Sequence, residues 1–368
     1  MKNKILFCLH IPPPVHGSSM VGKYINESVV INNTFLTKYV NLGTSDNVDE
    51  IGKGDIRKLL KYIRIIFKIW YQLLVFRPEV CYLAMTAKGG AFYKDVVIGF
   101  LLKLFGAQLV IHFHNKGVSV NQHKKLDNFL YQKIFKNAKV VLLSQHLYQD
   151  ISKYVIKEDV FYCPNGIPDL KLPLIDRRKQ NNTSVSLLYL SNLIESKGVF
   201  ILLKALAILK EKEIPFTCNF IGGEGDINKN QFNAKLRSLN LQEHVQYLGK
   251  KYGEDKHEYF SKADVFVFPT FYHNETFGLV NLEAMQYSLP VISTFEGGIP
   301  DVVVDGKTGF LIEQQNITQL AEKIIELSSN PEMCYQMGRD GRVRFQEKFT
   351  LERFESNFTS ILKIIAAN

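Results

Sequence analysis

Along nearly the whole chain, short apolar runs of strand length alternate with longer stretches whose apolar residues recur every three or four positions. In the first half, Lys4–His10, Glu79–Ala84, Gln108–Phe113, Lys139–Ser144 and Val160–Cys163 are predicted strands. Asp55–Phe76, Phe92–Phe105 and Leu126–Phe135 are predicted helices between them. A second set follows, with strands at Ser184–Ser191, Thr217–Ile221, Val245–Leu248, Val265–Phe268, Pro290–Ser293 and Gly309–Ile312. Helices such as Val199–Leu209 and Leu320–Leu327 intervene, and the tail Leu351–Ala367 keeps a helical period. Between the two sets, Asp169–Thr183 is polar and basic without an apolar period and reads as a linker. This alternation predicts an α/β chain of two doubly wound domains, 1–170 and 184–350, facing a central cleft.

Composition changes that picture little. A length of 368 residues suits about two domains, and 46% apolar with 22% charged residues is globular. Cys8, Cys81, Cys163, Cys218 and Cys334 are scattered without metal-ligand spacing, as expected of reduced thiols in a cytoplasmic protein. Ile5–Leu9 is too short for a signal h-region and reads as a first strand. No apolar run reaches the roughly 18 residues that a membrane span needs.

Charge changes it more. The net charge is +9, and residues 1–170 carry 22 Lys+Arg against 12 Asp+Glu, so the excess sits in the first half. An anionic membrane surface, nucleic acid or an acidic substrate would each suit a basic body. No aromatic–basic platform supports nucleic acid. Arg57, Lys58, Lys61, Arg64 and Lys68 share about a third of one helical wheel, with Leu59, Leu60, Ile63, Ile66, Phe67 and Trp70 over much of the rest. That helix, 57–70, reads either as contact with anionic membrane or as a surface helix with a solvated basic face.

The segment from His273 to Met285 carries the most chemistry. Glu275 and Glu283 lie eight positions apart, the first in a loop and the second in a helix expected to start near Phe277. A strand, a polar loop and a helix N-terminus in that order build an anion site at the carboxyl edge of a parallel sheet. Free amides there suit phosphate and the flanking carboxylates suit sugar hydroxyls, although the same acids would also serve as plain helix caps. The first strand ends in His10-Ile11-Pro12-Pro13-Pro14-Val15-His16-Gly17, where Gly17 permits close approach and Ser18 or Ser19 is expected to cap a helix. No G-x-G-x-x-G follows that strand, which disfavours an NAD enzyme. His112 and His114 share one side of their strand, with His114 at its end. Lys197 sits at an expected helix start, unfavourable without an anion nearby. Gly222, Gly223 and Gly225 form one glycine turn, and Gly297 and Gly298 another.

Together these motifs resemble the family 4 retaining glycosyltransferases of the GT-B fold. The resemblance rests on Glu275-x7-Glu283 with Phe277-Gly278-Leu279 between, and on the Pro-Asn-Gly-Ile turn at 164–167. The helix start Glu-Ser-Lys-Gly at 195–198, Gly-Gly-Glu-Gly at 222–225 and Gly-Gly-Ile-Pro at 297–300 add to it. It implies a hexosyltransferase that uses a nucleoside diphosphate sugar, with the 184–350 domain gripping the nucleotide and the 351–367 helix packing back on the first domain. Glu283 is expected at the ribose and Glu275 at the donor sugar. Amides of Phe277, Gly278 and Leu279 are expected at sugar and diphosphate, and Lys197 at the leaving group. Gly17, Ser18, Asn192 and Gly223 are expected to line the donor, and His114 to bind the transferred sugar. Neither metal nor cofactor is expected. The implied acceptor is a saccharide or lipid-linked saccharide for cell-surface polysaccharide or lipopolysaccharide, at the inner face of the plasma membrane.

Asn192 departs from the family, which often has an arginine there. A neutral amide supplies no second positive charge, so leaving-group stabilisation falls to Lys197 and helix amides, or to a base elsewhere. A non-catalytic or epimerase-type nucleotide-sugar-binding protein of the same fold is the competing reading. A phosphorylase would need a cofactor lysine and a longer chain.

Overall fold

The computed structural model describes residues 2–44, 56–174, 184–251 and 253–367. Asp55 and the greater part of the expected linker, 175–183, lie outside the described residues. The chain divides into two compact units, one made of 1–165 with 351–368, the other of 166–350.

Unit 1 is built on a fully parallel six-stranded sheet with helices packed around it. Its strands are β1 (Lys4–Leu9), β2 (Leu36–Asn41), β3 (Val80–Met85), β4 (Gln108–Phe113), β5 (Lys139–Leu142) and β6 (Val160–Tyr162), in the order β2-β1-β3-β4-β5-β6. The five strands read from the sequence are all present, within a residue or two at their ends. The edge strand β2 is not among them. Only Val40 of its six residues is buried, so the apolar alternation that marks a strand is weak there. Tyr39 nonetheless stacks on Phe7 with ring centroids 5.0 Å apart. The helices include α1 (Gly17–Glu27), α2 (Val29–Thr34), α3 (Ile56–Val75), α4 (Gly89–Lys103), α5 (Val118–Asn121) and α6 (Lys125–Phe135). The last helix of the chain, α14 (Leu351–Ala367), also belongs to this unit. Its period buries Phe354, Phe358, Leu362 and Ile365 in one cluster with Ile5, Phe7, Tyr82 and Val110. Burying four such side chains contributes on the order of 6–12 kcal/mol of gross apolar transfer energy.

Unit 2 repeats the plan. Strands β7 (Val185–Leu190), β8 (Phe216–Ile221), β9 (Val245–Tyr247), β10 (Val265–Val267), β11 (Val291–Thr294) and β12 (Gly309–Ile312) are parallel, in the order β12-β11-β10-β7-β8-β9. The order reverses between β10 and β7, the kind of place where open parallel sheets bind ligands. Helices α7 (Val199–Glu211), α8 (Lys229–Ser238), α9 (His257–Lys262), α10 (Leu279–Gln286), α11 (Ile299–Val302), α12 (Ile317–Ser328) and α13 (Pro331–Lys348) complete it. No helix among the described residues is long and apolar enough to cross a membrane.

Candidate functional site

In unit 2 the expected residues converge on the carboxyl ends of β7, β8 and β10, at the reversal point. The chain leaves β7 through Asn192 and a short 3-10 turn, Glu195–Lys197, before α7 begins at Val199. Lys197 therefore precedes α7 and is not part of it. Gly198 caps α7 at φ 87°, and a Cβ there would lie 2.2 Å from the Pro269 carbonyl oxygen. Only glycine lets this turn press against the loop that follows β10.

That loop, Pro269 to Gly278, holds Glu275 from two sides. One carboxylate oxygen accepts a hydrogen bond from the Gly278 amide at 3.0 Å, and the other accepts from the Lys197 ammonium at 2.5 Å. Lys197 also lies 4.4 Å from the centre of the Tyr272 ring, so it is fixed by charge on one side and a π face on another. Both partners of the ion pair are mostly buried. Glu275 thus holds the turn that leads into the next helix and is a charge partner as well. Beneath it, Gly297 at φ 56° lets a second turn close in, since a Cβ there would lie 2.3 Å from the Glu275 carbonyl oxygen.

Helix α10 starts at Leu279, two residues later than the sequence suggests, because Gly278 is in the left-handed region at φ 69° and acts as its N-cap. Phe277 is buried and its ring packs on Phe349 at 5.9 Å, so its side chain serves the core. The amides of Leu279 and Val280 have no partner among the described residues. Within the same first turn, the Asn281 side chain is fully buried, yet neither its Nδ2 nor its Oδ1 has a hydrogen-bond partner among the described residues. Unpaired buried amides are costly, about 1–3 kcal/mol, and this one stands beside open helix donors. One turn on, Glu283 pairs with Lys256, from the 3-10 turn ahead of α9.

Asn192 has a positional role of its own. Its side-chain oxygen accepts from the Gly223 amide at 3.0 Å and pins the glycine turn after β8. The side chain of Lys250, just past β9, folds across that turn: a Cβ on Gly223 would lie 2.3 Å from Lys250 Cε. Lys250 has no hydrogen bond or ion pair among the described residues. Lys250, Lys256, Asn281 and Tyr272 were not singled out by the sequence. They lie outside the motifs or inside ordinary loop and helix text.

Unit 1 places its candidates at the carboxyl edge of its own sheet. His16, not Ser18 or Ser19, is the N-cap of α1. The Ser19 amide donates to His16 Nδ1, and the Ser19 hydroxyl accepts from the His16 amide. Gly17 is the first helical residue and Ser18 contacts the His16 ring at 3.0 Å. Packing of α1 on the end of β1 depends on Gly22, whose Cβ would lie 1.9 Å from the His10 carbonyl oxygen. The His114 ring lies 4.2 Å from that of buried His112, tilted by 39°, and His112 pairs with the Tyr82 hydroxyl at 2.9 Å. Burial, with smaller contributions from His10 and His16, pushes His114 down to about 3, and burial pushes His10 down to about 4. These imidazoles are neutral at pH 7 and act as hydrogen-bonding groups, not cations.

Residues 174–344 match the family model described as glycosyl transferases group 1. An uncharacterized glycosyltransferase of Methanocaldococcus jannaschii is 35% identical over 166 residues, 45% of this chain and 44% of that protein. The capsular polysaccharide biosynthesis glycosyltransferase CapM of Staphylococcus aureus is 28% identical over 256 residues, 64% of this chain and 65% of that one. The chain therefore spans less than two thirds of either relative's length. The crystal structure of Anabaena HepE in complex with UDP superposes with a TM-score of 0.76 over 98% of this chain and 99% of that one, at 17% identity. The fold is GT-B. The sequence matches point to the glycosyltransferases of group 1. The matched segment spans Asn192, Lys197, Gly223, Lys250, Glu275 and Glu283.

Proposed function

We propose that the protein is a retaining glycosyltransferase that moves a hexosyl unit from a nucleoside diphosphate sugar to a saccharide or lipid-linked saccharide. The setting we infer is cell-surface polysaccharide synthesis, supported by the likeness to a capsular polysaccharide enzyme. The observation that carries the reading is the start of α10. Two open amides and an unpaired buried Asn281 stand between two lysine-held carboxylates, Glu275 and Glu283. Diphosphate satisfies the donors, and sugar and ribose hydroxyls satisfy the carboxylates.

In the reaction, the bond between the anomeric carbon and the β-phosphate oxygen breaks and its electron pair stays on the phosphate. The acceptor hydroxyl forms the new bond on the same face, and its proton passes to the departing phosphate. Lys197, freed from Glu275 as the donor enters, opposes the charge that grows on that phosphate. We assign the second cation to Lys250, which stands beside the Asn192–Gly223 contact and has no hydrogen bond or ion pair among the described residues. Glu283 and Lys256 hold the ribose edge, Gly17 and Ser18 line donor phosphates, and neutral His114 hydrogen-bonds the transferred sugar. A panel of UDP-, GDP- and ADP-sugars, read by release of nucleoside diphosphate and by product stereochemistry, tests this. Turnover of one donor with retained configuration supports it; binding without turnover of any donor and acceptor contradicts it.

A further inference from the structure

We propose that α3 docks the protein on an anionic lipid surface by inserting an outer apolar ridge between headgroups, with a basic stripe lying against their charges. The helix has two apolar faces. Ile65, Ile69 and Leu73 are buried toward β2 and α4. On the opposite side Leu60, Ile63, Phe67, Trp70 and Leu74 point to solvent, with Phe67 65% and Trp70 47% exposed. At about 100° per residue these five sit around the point farthest from the buried three. A helix packed on a soluble body ordinarily carries charge there, so the ridge is the anomaly. The sequence expectation of an amphipathic helix 57–70 did not tell which of its apolar positions face outward.

Arg64 and Lys68 flank the ridge on one side, and α3 contains no acidic residue. The apolar surface continues at the end of α4, where Leu104 is 79% exposed and Phe105 follows. Where α3 ends, an open groove of about 360 Å³ is lined by Leu73, Leu74, Arg77, Pro78 and Phe105. Apolar walls with one cation suit an acyl chain beneath an anionic headgroup.

Charge selects the occupant. A second copy of the chain would bring Arg64 and Lys68 toward an identical basic stripe, which is repulsive. An anionic bilayer offers hydrocarbon to the ridge and opposite charge to the stripe, and Trp70 and Tyr71 suit the boundary between them. At twenty residues α3 is about 30 Å long, and it lies in the surface plane, since it is too charged to span. This inference does not depend on the donor reading, and its test uses no sugar nucleotide.

Trp70 is the chain's single tryptophan, so its emission reports on the ridge. The full chain is mixed with vesicles of phosphatidylglycerol and phosphatidylcholine, and with phosphatidylcholine alone, and followed by flotation and fluorescence. Expected are flotation with the anionic vesicles, a blue shift, and quenching by brominated acyl chains. Phe67→Ser with Leu74→Ser should weaken binding about tenfold or more at unchanged charge and melting temperature. Arg64→Gln with Lys68→Gln should erase the preference for anionic lipid but keep the blue shift at saturating vesicles. Trp70 emission unmoved by anionic vesicles would overturn the proposal. So would binding insensitive to the Phe67 and Leu74 changes, or a lipid-free dimer that shields Trp70.

Discussion

The Lys197 ammonium is bound to the Glu275 carboxylate at 2.5 Å, and the contact joins the end of β7 to the loop after β10. With no donor bound, each group neutralises the other. A donor that inserts its diphosphate beside Lys197 and its sugar beside Glu275 must loosen that pair, so ground-state binding gains less than the transition state. Lys197→Met is expected to lower kcat by about 10²–10³-fold with a smaller change in the Kd of nucleoside diphosphate. Glu275→Gln should likewise reduce kcat more than nucleotide affinity. Steady-state kinetics beside calorimetry would check this, and equal losses in both quantities would reassign the pair to binding alone.

The Gly198 turn is expected to be intolerant of a side chain. Gly198→Ala puts a methyl 2.2 Å from the Pro269 carbonyl oxygen, at φ 87°. A loss of about 2–4 kcal/mol in stability follows from strain and displacement together. Gly306→Ala is the control, because φ 71° is similar but nothing lies within 4 Å of the added atom. It should cost only about 1 kcal/mol. Denaturant melts that show equal losses would remove the close-approach argument.

Lys250 is expected to act on phosphate and not on the nucleoside. Lys250→Ala should weaken UDP or GDP binding about fivefold, roughly 1 kcal/mol for an exposed charge, and leave uridine or guanosine binding unchanged. The loss should shrink at high salt. Equal weakening of nucleoside and nucleotide would place Lys250 elsewhere in function.

Much of this site could be read from the chain, and the unread part has physical causes. Strand ends and glycine turns are local in sequence, and they announced β7, β8 and β10 and the turns at Gly223 and Gly297. Glu275 and Glu283 were legible because one peptide carries both. Their lysine partners were not, since Lys256 lies 27 positions from Glu283 and Lys197 lies 78 from Glu275. Pairing across such separations is decided by sheet order, which composition and period do not contain. Edge strand β2 was missed because only Val40 of it is buried, which leaves little apolar alternation to read. The capping of α1 by His16 was missed because serine is the commoner cap and two serines stood next to it. The outer ridge of α3 was visible as apolar positions, but only packing shows which apolar face is left uncovered.

Histidine burial in unit 1 predicts acid sensitivity. In the unfolded chain these imidazoles titrate near 6.5, while burial holds His114 at about 3, His10 at about 4 and His112 well below its ordinary value. Below pH 6.5 the unfolded state therefore binds protons that the folded state refuses, and stability falls as pH drops toward 4. Asp95 opposes this, because burial raises its carboxyl to about 7 and the folded form takes up a proton first. Three imidazoles outweigh one carboxyl, so the melting temperature should fall between pH 7 and pH 5. His112→Gln, which keeps a polar partner for Tyr82, should flatten the fall. A melting temperature that rises on acidification would contradict the assignment.

The most direct measurement is calorimetric titration of UDP, GDP and ADP into the wild-type chain and into Glu283→Ala. One nucleotide should bind the wild type with a micromolar Kd. Glu283→Ala should bind it about tenfold or more weakly, since the ribose hydroxyls lose a charged acceptor worth about 1.5–3 kcal/mol. Wild-type affinity retained by Glu283→Ala, or no heat from any of the three nucleotides with the wild type, would contradict a nucleotide site at α10.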